Sequence, residues 1–221
     1  MKRALVVGAS GGIGRSVVAA WRARGVQVTA LSRSGDGLDV RDEVSIADVL
    51  GALDGPFDVI LVATGALDGA GAPPEKSLGA VTSEAMMAQY AVNAVGPMLV
   101  LKHAVRLLPR RERSVFAALS ARVGSIGDNR AGGWHSFRAA KAGLNQMLHG
   151  ASIELGRSHP GVICAALHPG TVATTFTQNY AGRHSMVSPE EAAQNLIVVM
   201  EGLKPEQTGG FYDYEGREIP W

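Results

Sequence analysis

Cysteine is almost missing from this 221-residue chain: Cys164 is its only one, so no intrachain disulfide can form. It lies within the apolar run Gly161-Val162-Ile163-Cys164-Ala165-Ala166-Leu167 and reads as a buried, inert thiol. A surplus of charge is missing too. Lys and Arg number 21 against 20 Asp and Glu, a net charge of +1, so no long-range field draws the chain to nucleic acid or an anionic membrane. No segment approaches the roughly 20 consecutive apolar residues of a membrane span. Met1-Lys2-Arg3 leads into an apolar stretch too short for a secretory signal, so a cytoplasmic protein is expected. No His, Cys or carboxylate spacing suits a metal, and none is expected.

What the chain does have is apolar residues, 46% of the total, enough for the core of one α/β domain spanning residues 1–221. Its most informative stretch is Leu5-Val6-Val7-Gly8-Ala9-Ser10-Gly11-Gly12-Ile13-Gly14, where an apolar run breaks into a glycine turn and then a helical pattern. The run suits a strand buried on both faces. Glycine at 8, 12 and 14 lets the backbone turn sharply and approach a phosphate, while the N–H groups opening the next helix face the anion. Ile13, Val17, Val18 and Trp21 form that helix's apolar stripe, and Gly25 ends it. With a strand before it and an amphipathic helix after it, the turn reads as a dinucleotide site rather than a plain tight turn.

Further on, strand and helix signals alternate. Strands are expected at 4–7, 26–31, 38–40, 57–62, 114–119, 161–167 and 208–214, about seven in all and parallel. Asp42 is placed to cap a helix through Ile46, Val49, Leu50 and Leu53. Thr82 or Ser83 opens a long helical stretch to Leu108 whose Met86 and Met87 read as core fillers; further helices run over 134–157 and from Ser188. Residues 66–80, rich in Gly, Ala and Pro, read as an ordered loop. The expected fold is a doubly wound Rossmann sheet with helices on both faces, which collects ligands at the carboxyl ends of its strands.

At this point the residues resemble the short-chain dehydrogenase/reductases over nearly the whole chain. The glycine turn is similar to that family's T-G-x-x-x-G-x-G, with Val7 in place of Thr. Asp39-Val40 looks like the pair that contacts adenine, and Ala63-Thr64-Gly65 stands where N-N-A-G is usual. Tyr90-Ala91-Val92-Asn93 supplies the helix Asn of the proton relay, and Pro169-Gly170-Thr171-Val172-Ala173-Thr174 resembles the segment along the nicotinamide. The stretch from Leu119 to Trp134 is similar to the subgroup of C-factor and the sniffer-type carbonyl reductases. The resemblance implies a homodimer or homotetramer built on the two long helices, and a lid over the substrate from Thr174 to Met186.

One departure outweighs the matches. The family's catalytic Tyr-x-x-x-Lys reads Phe137-Arg138-Ala139-Ala140-Lys141, so the ribose-holding lysine is kept while the proton-donating phenol is not. The family's serine, three residues before the glycine of S-x-x-G, is Ala121 ahead of Gly124, leaving Ser120 and then Ser125 as candidates to polarise a carbonyl. Asn93 is alternatively a buried Asn at a helix kink. His135, if the first turn of its helix is irregular, and Tyr180 or His184, read otherwise as exposed lid residues, are the candidates for a substitute proton donor; His103, His149 and His159 read as ordinary surface or flanking positions. At the end of the second strand, Ser32-Arg33-Ser34 carries no acid and offers a guanidinium, so NADP(H) is expected ahead of NAD(H). Two functions are consistent with these residues. One is an NAD(P)(H)-dependent oxidoreductase acting on a small carbonyl or alcohol, weakened by Phe137; the other is a catalytically silent dinucleotide-binding protein with a regulatory or signalling role.

Overall fold

The computed structural model describes residues 1–177 and 186–221. Six parallel strands, β1 (Arg3–Val7), β2 (Gln27–Leu31), β3 (Val59–Val62), β4 (Ser114–Leu119), β5 (Val162–Leu167) and β6 (Gly210–Tyr212), stand in the order β2-β1-β3-β4-β5-β6. Side chains alternate between faces along a strand, and here both faces are covered, so the central strands read as unbroken apolar runs. Leu5, Val7, Ile60, Val62, Phe116, Cys164 and Ala166 point to one face, against α3 (Glu43–Gly51), α5 (Gly96–Ala104) and α6 (His135–Ser158). Their neighbours Ala4, Val6, Val59, Leu61, Val115, Ile163 and Ala165 point to the other, against α1 (Gly12–Ala23) and α7 (Pro189–Gly202). Cys164 is fully buried, and burial pushes its thiol up to about 12, an inert group at neutral pH.

The sheet has six strands rather than seven because residues 38–40 do not pair. Their polar groups are taken locally: the Asp39 N–H donates to Ser45 Oγ at 2.9 Å, and the N–H groups of Arg41 and Asp42 donate back to Asp39. Directly after β2 the chain instead forms α2 (Arg33–Asp36), one helical turn closed by Gly37 at φ +74°. Val40 is nonetheless buried, since its carbonyl and side chain lie 2.8 to 3.0 Å from where a Cβ of Gly96 would stand. The absent side chain lets this segment lie on α5.

The helical stretch after Thr82 is also interrupted. Thr82 caps α4 (Ser83–Tyr90), the chain widens into a π-turn at Ala91–Val95, and α5 resumes. Met86 and Met87, expected in the core, are 41% and 71% exposed. Helical spacing identified a stripe on α4, but the face turned inward carries Ala85 and Gln89. Residues 66–80 are ordered: Gly69 sits where a Cβ would meet the Ala85 carbonyl at 2.8 Å, and Gln89 Nε2 donates to the Leu67 carbonyl.

Trp21 anchors α1 in the second core face, fully buried, with an indole Nε1 that has no hydrogen-bond partner among the described residues. Its contribution is therefore apolar. Trp21→Ala is expected to cost about 3–5 kcal/mol of unfolding free energy. Trp21→Phe should cost less than half of that, because it also removes the unsatisfied N–H; urea denaturation of the three proteins measures both.

Candidate dinucleotide and substrate site

The glycine turn after β1 is held from below. The N–H groups of Gly8 and Ala9 both donate to the Leu31 carbonyl at the end of β2, at 2.9 Å. Gly8 has φ +91°, and a Cβ there would lie 2.8 Å from the Ala63 carbonyl carbon and 2.9 Å from Thr64 Cγ2. A Cβ on Gly14 would lie 2.3 Å from the Gly8 carbonyl oxygen, so only glycine lets α1 start this close to the strand. Gly12 faces Thr174, whose Cγ2 is 2.7 Å from where its Cβ would be. Ser10 is exposed and Ile13 half-buried on the same turn. The first N–H groups of α1 have no intrahelical acceptor and, with the helix dipole, suit an anion.

The loops after β3 and β5 meet this turn. Thr64 Oγ1, beside Gly8, is buried and has no hydrogen-bond partner among the described residues. Gly65 is exposed, and the place its Cβ would fill is ringed by Asn93 Oδ1 at 3.1 Å, Lys141 Nζ at 3.7 Å and Phe176 Cε2 at 3.8 Å. After β5 comes His168, then Pro169 and Gly170, the latter at φ +80° with the Tyr214 ring 3.0 Å from a would-be Cβ. Val172 is buried and bridges Val187, which leaves Thr174 against Gly12. His168 Nδ1 is likewise buried and unpartnered among the described residues, and burial pulls that imidazole down to about 4, neutral at pH 7. A glycine cradle at a helix start beside an orphaned hydroxyl fits the phosphates and ribose of a dinucleotide.

On α6, Phe137 and Lys141 are one turn apart and both buried. Lys141 Nζ donates to the Leu119 carbonyl at 2.7 Å and lies 5.7 Å from the centre of the Phe137 ring. Burial lowers its ammonium to about 7. The Phe137 ring packs against Trp134 at 6.2 Å and Phe176 at 6.1 Å, an apolar corner where the family resemblance implies a phenol. Asn93 stands in the π-turn, fully buried, accepting from the Ala66 N–H at 3.2 Å and donating to the Ala66 carbonyl at 2.8 Å and to Gln89 Oε1 at 2.6 Å. Its side chain thus ties the loop after β3 to α4.

Both serine candidates are buried and hydrogen-bonded within the scaffold. Ser120 is 4% exposed and donates to Asn145 Oδ1 at 2.6 Å; Ser125 is 1% exposed and accepts from the Asp128 N–H at 3.0 Å, which leaves its own proton to donate. Leaving β4, Ser120 points at α6. Ala121 remains at the position implied for the family's serine. His135 opens α6; burial pushes the adjacent Glu75 carboxyl up, but the hydrogen bonds from Ser136 outweigh this and, with a smaller contribution from His135, hold it below the ordinary carboxylate range, and Tyr180 and His184 lie outside the described residues.

Sequence reasoning missed two partners here. Glu75, in the loop 66–80, is buried and accepts from both the N–H and the hydroxyl of Ser136, while its carbonyl accepts from the Trp134 N–H at 2.6 Å. This holds Trp134 in the left-handed region at φ +50°, a conformation that costs a non-glycine residue about 1–3 kcal/mol. The second is Asp36, whose Oδ2 accepts from the Ser32 N–H at 2.8 Å and lies 3.4 Å from Ser32 Oγ. Ser32 is half-buried and Arg33 exposed. Asp39 is gripped by Arg41 Nε and Nη2 at 3.0 and 2.6 Å, and that hydrogen-bonded guanidinium holds its carboxyl down to about 2.

A parallel sheet with a glycine cradle at the start of α1 and a lysine helix facing the loop after β3 defines a Rossmann dinucleotide-binding fold. The short chain dehydrogenase family model matches residues 2–184, and the chain belongs to that family of oxidoreductases. It is 33% identical, over 241 aligned positions and all of both chains, to 1-hydroxy-2-glutathionyl-2-methyl-3-butene dehydrogenase of Rhodococcus sp. (strain AD45). It is 31% identical to the C-signal protein of Myxococcus xanthus over 145 residues, covering 66% of this chain and 84% of the other. In fold it is similar to an NADPH-bound carbonyl reductase from chicken fatty liver, with a TM-score of 0.84 at 20% identity over all of this chain and 94% of that one.

Burial of Lys141 makes stability depend on pH in a defined direction. Below pH 7 the folded chain carries a buried ammonium, and between about 7 and the ordinary lysine value it has released a proton that the unfolded chain still binds, so stability rises with pH across that window. Lys141→Met should melt several degrees higher than the wild type at pH 6. The gap should close towards pH 10, as followed by thermal denaturation; a gap of the same size at both pH values would contradict the burial argument.

Proposed function

We propose that this chain is an NADP(H)-dependent oxidoreductase that reduces a small carbonyl compound or oxidises the matching alcohol, with turnover weakened by Phe137. The observation that carries the reading is the convergence of Asn93, Lys141 and Phe176 around Gly65, in the loop that meets the glycine cradle. Gly8, Ser10, Gly12, Ile13 and Gly14 would take the pyrophosphate on the first N–H groups of α1. Ser32 and Arg33 would meet the adenosine 2′-phosphate, and Asp39 and Val40 the adenine. Ala63, Thr64 and Gly65 would line the ribose, Lys141 would hold its hydroxyls, and Pro169, Gly170, Val172 and Thr174 would flank the nicotinamide. The bound dinucleotide supplies a hydride.

The protein's own part is to orient and to exclude water. Trp134, Phe137 and Phe176 form an apolar wall, which suits a substrate whose reacting carbon has an apolar neighbour. Asn93 is the relay position of this reading, and its amide keeps the loop after β3 in register with α4. The NADPH held by the chicken carbonyl reductase supports the cofactor choice, and the hydroxy compound in the name of the Rhodococcus enzyme supports an alcohol as the substrate to assay first. The lone reduced thiol fits a cytoplasmic setting. Exposed Met86, Met87 and Tyr90 on α4 and Ile153 on α6 suit a homodimer or homotetramer built on these helices.

A second reading, a dinucleotide-binding protein without turnover, is favoured by specific observations. The phenol position is Phe137, and the Ser120 hydroxyl donates to Asn145 Oδ1, while Ser125 is buried in the turn where it accepts from the Asp128 amide. Similarity to C-signal is consistent with a signalling role. Phe137→Tyr decides between the two readings. It adds a single hydroxyl beside Lys141, and positioned proton transfer usually contributes about 10²–10⁴-fold, so carbonyl reduction should rise at least tenfold. Single-turnover assays with saturating NADPH measure it; equal rates at the uncatalysed background in both proteins, with NADPH still bound, would favour the silent protein.

A further inference from the structure

The sequence around β2 carries no acid at its end, yet the fold brings one there. β2 stops at Leu31, whose carbonyl is bound by Gly8 and Ala9, so the next residue, Ser32, emerges beside the glycine cradle. Ser32 Oγ accepts from the Gly35 N–H at 3.0 Å, which closes α2 and returns the chain to where it began. Gly37, left-handed at φ +74°, ends the turn. Asp36 Oδ2 consequently sits on the Ser32 N–H at 2.8 Å and within 3.4 Å of its hydroxyl. These two donors are what Ser32 has to offer a phosphate, and a carboxylate occupies both. The other acid nearby, Asp39, is held by Arg41, and Arg33 lies close enough to Asp39 to help keep it ionised.

We propose that Asp36 is the residue that limits discrimination between the two nicotinamide dinucleotides: it stands on Ser32 in place of a 2′-phosphate and opposes the pull of Arg33. The inference rests on the dinucleotide reading above and adds to it a residue outside the glycine turn and the strand end. A 2′-phosphate arriving at Ser32 must displace Asp36 or share its donors with a second anion, and like charges at hydrogen-bonding range repel. A ribose without the phosphate meets no such conflict, because its hydroxyls can donate to the carboxylate. Arg33 and Asp36 therefore act in opposite senses on one ligand group, and NAD(H) is tolerated beside NADP(H).

Calorimetric titration of NADP⁺ and NAD⁺ into the protein tests this without any turnover. The wild type should bind the two within about tenfold of each other. Asp36→Asn keeps an acceptor for the Ser32 N–H while removing the charge, and should tighten NADP⁺ at least tenfold with NAD⁺ unchanged or weaker; Asp36→Ser, which removes the carboxylate outright, should act in the same sense. Arg33→Ala should weaken NADP⁺ alone. NADP⁺ affinity untouched by both Asp36 variants, or both dinucleotides tightening equally, would overturn the role of Asp36 and leave the dinucleotide reading standing. Failure of the wild type to bind either dinucleotide would overturn both.

Discussion

The rest of the site depends on how closely α1 approaches the end of β1. A Cβ at residue 14 would stand 2.3 Å from the Gly8 carbonyl oxygen, and one at residue 8 would strike the chain at Ala63. With both side chains absent, the glycine turn, the loop after β3 and the start of α1 come together at one point, and the Leu31 carbonyl ties the end of β2 to it. The open N–H groups of α1 therefore face the C-terminal ends of the strands, where the loops after β3 and β5 also end. An added methyl group at either glycine would separate these parts before any ligand arrived.

Around that point a buried lysine and an aromatic corner stand together on the start of α6. Lys141 is buried beneath the loop after β3, where its ammonium donates to the Leu119 carbonyl and is weakened by the loss of water. The ring beside it is a phenylalanine packed between Trp134 and Phe176, which makes the corner drier than a phenol would. Glu75 holds that aromatic corner in place through Ser136 and Trp134, so the loop 66–80 sets the start of α6. Nearby, the Ser120 hydroxyl donates to Asn145 on α6, and Ser125 accepts from the Asp128 N–H in its turn.

Electrostatics at the adenosine end follow the same pattern of local commitment. The Asp39 carboxylate is held by Arg41 and that of Asp36 by the Ser32 N–H, while Arg33 is exposed. With a net charge of +1, local pairs such as these set the potential after β2 rather than any remote field.

The sequence by itself determined the class of fold, because alternation between apolar strands and amphipathic helices has only one way to bury both faces of a parallel sheet. It also determined the glycine turn, whose spacing is read residue by residue, and the departure at Phe137, since identity at a motif position needs no coordinates. Three things were decided only in three dimensions. Residues 38–40 lost their place as a strand because Ser45 and Asp39 itself captured the N–H groups that a ladder needs. Met86 and Met87 were turned outward because the rotation of α4 is set by Ala85 and Gln89 packing on the loop 66–80, which periodicity alone does not specify. Where Ser120 points and what Asp36 touches depend on contacts with residues 25 positions away or on a turn closed by a left-handed glycine. Local pattern records which face of an element is apolar, but a hydrogen bond has direction and a partner, and those exist only once distant segments have been brought together.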